Sequence, residues 1–275
     1  MDRMIAAERK RSYRYEDISL TGLMDDIMSF HGGPTPGETV PEFDLLTTDG
    51  KRVRRDDYVG VRPLLITFAS LTCPMTASAS APLKRLFERF GGGVGFLSVY
   101  VREAYPGDRL PQAGDRDQKI NYAHRYQHRD AIPWAVAVDS LEGDFHRAMG
   151  AHPNACYIID ERGTVAFRAL GSSDEAAIRL ALEALVSGRT LKRRESRSRA
   201  LPFLASVGCM NETLEQAGPK ARRQMLRQAP PLYGLGRLAG LFTPLPPAGR
   251  GIAALGVVGL GVTALVKALS RDDLA

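Results

Sequence analysis

Cys73 is the residue best placed for chemistry in this chain. The apolar run Leu64–Ala69 continues through Ser70-Leu71-Thr72 to the thiol, and Pro74-Met75-Thr76 opens a helix-like pattern behind it. A thiol there ends a buried strand and faces the first turn of a helix. Unpaired N–H groups and the helix dipole favour thiolate over thiol, so its pKa is expected to fall. Pro74 suits the first helical position, where its missing N–H costs nothing. The arrangement predicts redox or nucleophilic thiol chemistry. Thr72 and Thr76 flank the thiol and have two uses, a hydrogen bond to the thiolate or capping of the helix start.

The remaining candidates are fewer and plainer. Cys156 leads into a strand and reads as a core thiol or a resolving one. Cys209, in Val207-Gly208-Cys209-Met210, could resolve a Cys73 sulfenic acid or pair between chains. Glu103 and Tyr105 follow a second apolar strand, at the sheet end that carries Cys73. A carboxyl and a phenol there can hand a proton to a leaving group or a peroxide oxygen. His152, before Pro153, is a rival acid/base group. His124 and His128 have a bridging i,i+4 spacing, but Arg125, Tyr126 and Arg129 read as an exposed helix face and no third ligand is evident, so no metal site is expected. No cofactor is expected beyond an external thiol reductant.

Charge divides the 275-residue chain unevenly. Residues 1–188 carry 23 Lys/Arg against 26 Asp/Glu, residues 189–250 carry 12 against 3, and residues 251–275 carry 2 against 2. The basic run Arg189 to Arg199 lacks interleaved aromatics, which argues against nucleic acid and for a solvated tail or an anionic membrane surface. Three cysteines make no secreted disulfide framework, and Met1-Asp2-Arg3-Met4-Ile5 has no signal-peptide run, so a cytoplasmic setting is the expectation. Residues 251–266 are uncharged. With Lys267 snorkelling, the apolar helix extends to Ser270, roughly 30 Å at about 1.5 Å per residue, and is read as a membrane attachment, against a buried or amphipathic helix.

Positioning these groups requires alternating strands and helices. A helical patch from Tyr15 to Phe30 (Ile18, Leu23, Ile27 and Phe30 on one face) precedes the break Gly32-Gly33-Pro34. Strands are expected at 43–47, 64–69, 94–101, 133–138, 156–160 and 164–168, and helices at 74–90, 117–128, 141–149 and 174–186. The order is βαβ alternation finishing in a hairpin and a helix, an α/β fold with a mixed central sheet and helices on both faces. The domains read as 1–33, an N-terminal extension; 34–188, the α/β unit; 189–250, a basic linker and helical region; and 251–270, the apolar helix.

The stretch from Pro36 to about Val186 resembles the thioredoxin-like redoxins, through Pro36-Gly37-Glu38, Pro41-Glu42-Phe43 and the Cys73 segment. Thr72-Cys73-Pro74 with Val99-Tyr100-Val101-Arg102-Glu103-Ala104-Tyr105-Pro106-Gly107-Asp108 is most similar to the iodothyronine deiodinase branch, which has selenocysteine, or cysteine in many relatives, at the Cys73 place. The resemblance implies a thioredoxin-like fold. Tyr105 stands where that branch has histidine, and Thr76 where dithiol thioredoxins have their second cysteine. Ser70 and Asn154 replace the threonine and arginine usual in peroxiredoxins. The expected function is a thiol oxidoreductase with one active cysteine that reduces a peroxide, a disulfide or an aryl halide, with small-molecule or protein thiols as partners. Reductive dehalogenation is the alternative within that class, and a catalytically silent binding module at a membrane is the alternative outside it.

Overall fold

A computed structural model describes residues 13–272 other than Ser29, His31 and Arg193, with side chains described outside 25–28 and 264–272. In chain order its elements are α1 (Leu20–Met28), β1 (Asp44–Thr47), β2 (Arg52–Arg54), β3 (Leu64–Ala69), α2 (Pro74–Phe90), β4 (Gly95–Tyr100), α3 (Arg116–Arg129), β5 (Ala135–Val138), α4 (Asp144–Ala148), β6 (Cys156–Ile159), β7 (Val165–Ala169), α5 (Glu175–Val186), β8 (Glu195–Ser196), α6 (Ala200–Ala217), α7 (Pro219–Gln228), α8 (Pro230–Ala239) and α9 (Pro247–Asp272).

β3 and β4 are buried along their whole length, which is why each reads as a continuous apolar run. They pair in parallel, Leu64 opposite Gly95 through Ala69 opposite Tyr100, with α2 as the crossover. The sheet order is β2-β1-β5-β4-β3-β6-β7-β8. β6 runs antiparallel to β3 and to β7, and α5 follows β7. A βαβ unit joined to a ββα unit around one mixed sheet is the thioredoxin-like arrangement. Alternate residues of β3 feed two cores. Leu65 and Ala69 meet Leu83 and Leu86 of α2 and Ile178 and Leu182 of α5. Leu64, Ile66 and Phe68 meet Leu97, Phe145 and Tyr157 on the other face.

The α1 helix is shorter than the expected Tyr15–Phe30 patch. Ile18 and Leu23 are buried against Met210, Leu214 and Met225, and the Ile27 side chain lies outside the described residues. β2 was not expected, because Arg52-Val53-Arg54 offers one buried residue between two exposed arginines.

The region expected as a basic linker and helical stretch forms β8 and α6 to α8. α6 packs along α2 and against α8 and α9. Its Gly208 lets the Pro247 backbone in, since a Cβ there would lie 2.0 Å from the Pro247 carbonyl oxygen. A Cβ on Gly251 of α9 would likewise lie 2.2 Å from the Leu204 carbonyl oxygen, and Ala254 is buried. The start of the apolar helix is therefore packed on protein, which shortens the stretch available to lipid. Among the described residues no helix is long and apolar enough to cross a membrane. The expected span also includes 264–270, whose side chains lie outside the described residues.

Candidate active site around Cys73

Cys73 is the N-cap of α2. Its backbone is extended (φ −91°, ψ 114°), Pro74 takes the first helical position, and Cys73 O accepts the first helical bond from Ala77 N at 3.1 Å. The first-turn N–H groups and the positive end of the dipole thus lie beside the thiol, as its sequence position implies. The thiol is only 2 % exposed.

A buried carboxyl organises the loop that leads to this thiol. Glu103, 1 % exposed, lies just beyond β4. Its Oε2 accepts from Thr72 N at 2.9 Å and from Thr72 Oγ1 at 2.6 Å. Its Oε1 accepts a short hydrogen bond from the Tyr100 hydroxyl, which in turn accepts from Leu71 N at 3.2 Å. Gln112 clamps Glu103 from behind. Its Oε1 accepts from Glu103 N at 2.9 Å, and its Nε2 donates to Glu103 O at 2.8 Å and to Tyr15 O at 3.0 Å. Burial pushes the Glu103 carboxyl above the ordinary glutamate range, against the lowering effect of its three donors and of Arg129. Glu103 is thus bonded to the residue next to Cys73 in the chain, with its carboxyl held toward the protonated form by burial.

Both threonines tie the Cys73 loop to its neighbours. The Thr72 hydroxyl donates to Glu103 and accepts from Tyr105 N at 3.1 Å, so its donor is committed to the carboxylate. Thr76 Oγ1 accepts from Ser70 N at 3.4 Å and from Asn154 Nδ2 at 3.5 Å, tying the Cys73 loop to the loop before β6. Neither threonine caps α2, whose N-cap is Cys73 itself.

The other candidates separate by location. Tyr105 adjoins Thr72 through its backbone, and its ring packs on the cluster containing Met210 and Leu214. His152 is buried on the opposite sheet face from α2, edge-on to Phe30 with ring centroids 5.4 Å apart, and its carbonyl faces His146 Nε2 at 2.8 Å. Its described contacts are thus with Phe30 and His146. Cys156 lies in β6 opposite Thr67, in the core with Leu65, Ala69 and Ile178. Burial pushes its thiol well above the ordinary range, as expected of a structural cysteine. Cys209, 5 % exposed, lies on α6 with its thiol pushed up to about 12 by burial. Among the described residues no group of three His, Cys, Asp or Glu could hold a metal ion.

Three features were not anticipated. Arg129, ending α3, donates from Nη1 to Leu71 O at 2.9 Å and to Gln216 Oε1 of α6 at 3.1 Å, while its other nitrogens grip Asp130. Lys119, its amine brought down to about 8 by burial, shares with Glu103, Tyr100 and Gln112 a cavity of about 10 Å³, room for one water. Arg14 and Gln112 also line a cleft of about 610 Å³ that reaches Pro106 and Gly107 and opens outward. The third feature is α6 itself. Near its start, Pro202 meets Gly171 and Met75 in one small pocket. At its end, Ala217 O accepts from Arg109 N at 3.0 Å and abuts Gly107, where a Cβ would come within 2.2 Å. α6 thus packs from the start of α2 to the loop that follows Glu103, and Cys73 lies in the chain between its contacts at Met75 and, through Arg129, at Leu71.

Cys73 thus stands at the strand–helix junction of a thioredoxin-like sheet, next to Thr72, which a buried carboxyl binds. The iodothyronine deiodinase family model matches residues 18–176, more than half of the chain, and the chain belongs to that family. It is 28% identical over 148 residues to thyroxine 5-deiodinase of Rattus norvegicus, covering 50% of this chain and 46% of that protein. To the enzyme of Gallus gallus it is 29% identical over 136 residues, 46% of this chain and 52% of the relative. The chain thus spans about half the length of the curated relatives it matches. Among solved structures, an uncharacterized conserved protein from Geobacillus kaustophilus is similar over 60% of this chain and 89% of its own (TM-score 0.48, 21% identity). A thioredoxin family thiol:disulfide interchange protein from Chlorobium tepidum is similar over 56% and 98% (TM-score 0.42, 17% identity). The family match ends before α6.

Proposed function

We propose that this chain is a thiol-dependent oxidoreductase in which Cys73 is the single attacking thiol and Glu103 the proton donor. The observation that carries the reading is the bonding of a buried carboxyl, its pKa raised, to Thr72, the residue beside the thiol at the start of α2. With a hydroperoxide, the Cys73 sulfur takes the distal oxygen, the O–O bond breaks, and the leaving oxygen takes the proton. With an aryl halide, the sulfur takes the halogen, the carbon–halogen bond breaks, and the ring carbon takes the proton. A thiol then displaces hydroxide (as water) or halide from the Cys73 sulfur, and a second thiol completes reduction through a disulfide. An external thiol, small or protein-borne, supplies those electrons.

Family membership favours reductive dehalogenation as the second, narrower reading; Tyr105 in place of the family histidine leaves Glu103 as the acid on that loop. The test compares turnover of a hydroperoxide and of an iodinated phenol with a dithiol reductant, with Cys73→Ser as control. Turnover of either substrate that falls at least about a thousandfold in the serine variant is the expected result. Turnover unchanged by the substitution, or no turnover together with Cys73 alkylation no faster than that of free cysteine, leaves the silent binding module in its place.

We further propose that α9 attaches the chain to an anionic membrane surface. Val257, Val258, Leu260 and Val262 are all exposed, as are the glycines between them, so this stretch is apolar on every side. The Thr263 hydroxyl is satisfied within the helix by Gly259 O at 2.9 Å. Flotation with phosphatidylserine vesicles should carry the full chain upward, and Leu260→Glu with Val257→Glu should leave it at the bottom. Equal flotation of the two proteins would refute the attachment.

A further inference from the structure

Cys209 is a second buried thiol outside the sheet, carried by the helix that packs along α2. α6 presents Pro202, Ser206, Cys209 and Thr213 at spacings of four, three and four residues, one buried stripe along the helix, and α6 packs on α2. Pro202 is anchored at Met75 and Gly171, while Gln216 is joined through Arg129 to Leu71 O. These anchors bracket Cys73 in the chain, two residues to either side, and Cys209 lies midway between Pro202 and Gln216. Electrostatic coupling also relates both thiols to the last turn of α3. Tyr126 lies within electrostatic reach of Cys73, and Arg129 and Asp130, on the next residues of that turn and its cap, lie within reach of Cys209. Cys156 is held in β6 among core side chains.

We infer that Cys209 is the resolving thiol for Cys73, and that the resolved state is a disulfide fastening α6 to the start of α2. This rests on the reading of Cys73 as the attacking thiol. A hydroperoxide oxidises the Cys73 thiolate to a sulfenic acid; the Cys209 sulfur then attacks the Cys73 sulfur, an S–S bond forms, the S–O bond breaks, and water leaves with the Cys209 proton. From a sulfenyl halide the same attack expels halide instead. An external dithiol returns both cysteines to thiols by exchange. Cys209 lies outside residues 18–176, which the family model matches.

The experiment uses the full-length protein in two arms. In the first, one equivalent of hydrogen peroxide is followed by alkylation and non-reducing peptide mapping. The expected product is a peptide pair joined through Cys73 and Cys209 in monomeric protein, retained in Cys156→Ala. Cys209→Ser should lose that pair and hold Cys73 as a sulfenic acid trapped by dimedone. The second arm needs no peroxide reactivity: equilibration with oxidised dithiothreitol should form the same bond. Failure of dimedone to label the serine variant, with the bond still forming in dithiothreitol, overturns peroxide reactivity at Cys73 and leaves the pairing standing. Pairing of Cys73 with Cys156, only intermolecular bonds, or no Cys73–Cys209 bond in dithiothreitol overturns the inference itself.

Discussion

Replacing Glu103 with glutamine is expected to lower thiol-dependent turnover by about 10²- to 10⁴-fold, the usual worth of a positioned general acid. Glutamine keeps the shape and one acceptor, but its amide group cannot match three donors. With the oxygen turned to Thr72, the NH₂ meets the Tyr100 hydroxyl, which already accepts from Leu71 N; turned the other way, it meets Thr72 N and Oγ1. One buried polar group is left unpaired, at a cost of about 1–3 kcal/mol in stability. The pH dependence separates the acid role from the structural one. Because burial raises the folded-state pKa of Glu103, the folded chain holds that proton more tightly than the unfolded chain does. Its stabilising contribution is complete below the ordinary glutamate pKa and is lost as pH rises through the raised value. Urea titrations from about pH 4 to pH 8 should therefore show the wild-type advantage over the glutamine variant shrinking with pH. The turnover profile should lose its alkaline limb in the variant, since no carboxyl remains to deprotonate. A variant that keeps both full turnover and that limb would remove Glu103 from the chemistry.

The second large effect concerns access. A Cβ built on Gly107 would lie 2.2 Å from the Ala217 carbonyl oxygen and 2.7 Å from its carbon, both backbone atoms that cannot rotate away. Gly107→Ala must therefore push the end of α6 off the loop that follows Glu103. Loosening a cover by about 1.4–2.8 kcal/mol raises its open population tenfold to a hundredfold. Alkylation of Cys73 at neutral pH should accelerate by about that factor, while the sheet amides keep their hydrogen-exchange protection. If α6 amides exchange faster but Cys73 labels at the wild-type rate, then α6 is not what shields the thiol.

Much of the sheet was legible because its strands are apolar on both faces and Pro74 and the three glycines from Gly91 punctuate α2. β8 was hidden, as Glu195-Ser196 lies in a charged run and earns its place only by pairing beside Arg168 and Ala169 of β7. The Glu103–Thr72 pair illustrates what a linear reading leaves out. β3 and β4 pair with a constant offset, Leu64 with Gly95 and Ala69 with Tyr100. Carried past both strand ends, that offset sets Thr72 beside Glu103, 31 residues away. The chemistry of both residues was visible, but register was needed to join them. His152 shows the converse. Its type suited proton transfer, yet neither its type nor its neighbours told which face of the sheet its ring would meet. α6 carries Pro202 and Gly208, both poor helix interior residues, and nothing local in the basic region marked a helix bound for α2.

The cover over Cys73 also sets how the thiol ages. Over-oxidation to sulfinic acid requires a second oxidant molecule to arrive while the sulfur is uncovered. With opening brief and rare, the hazard accumulates only over the time spent open, so damage in a stored population grows as elapsed time multiplied by the open fraction. Two preparations of equal age but unequal α6 stability would carry different fractions of over-oxidised Cys73, and the more rigid one would outlast the more reactive.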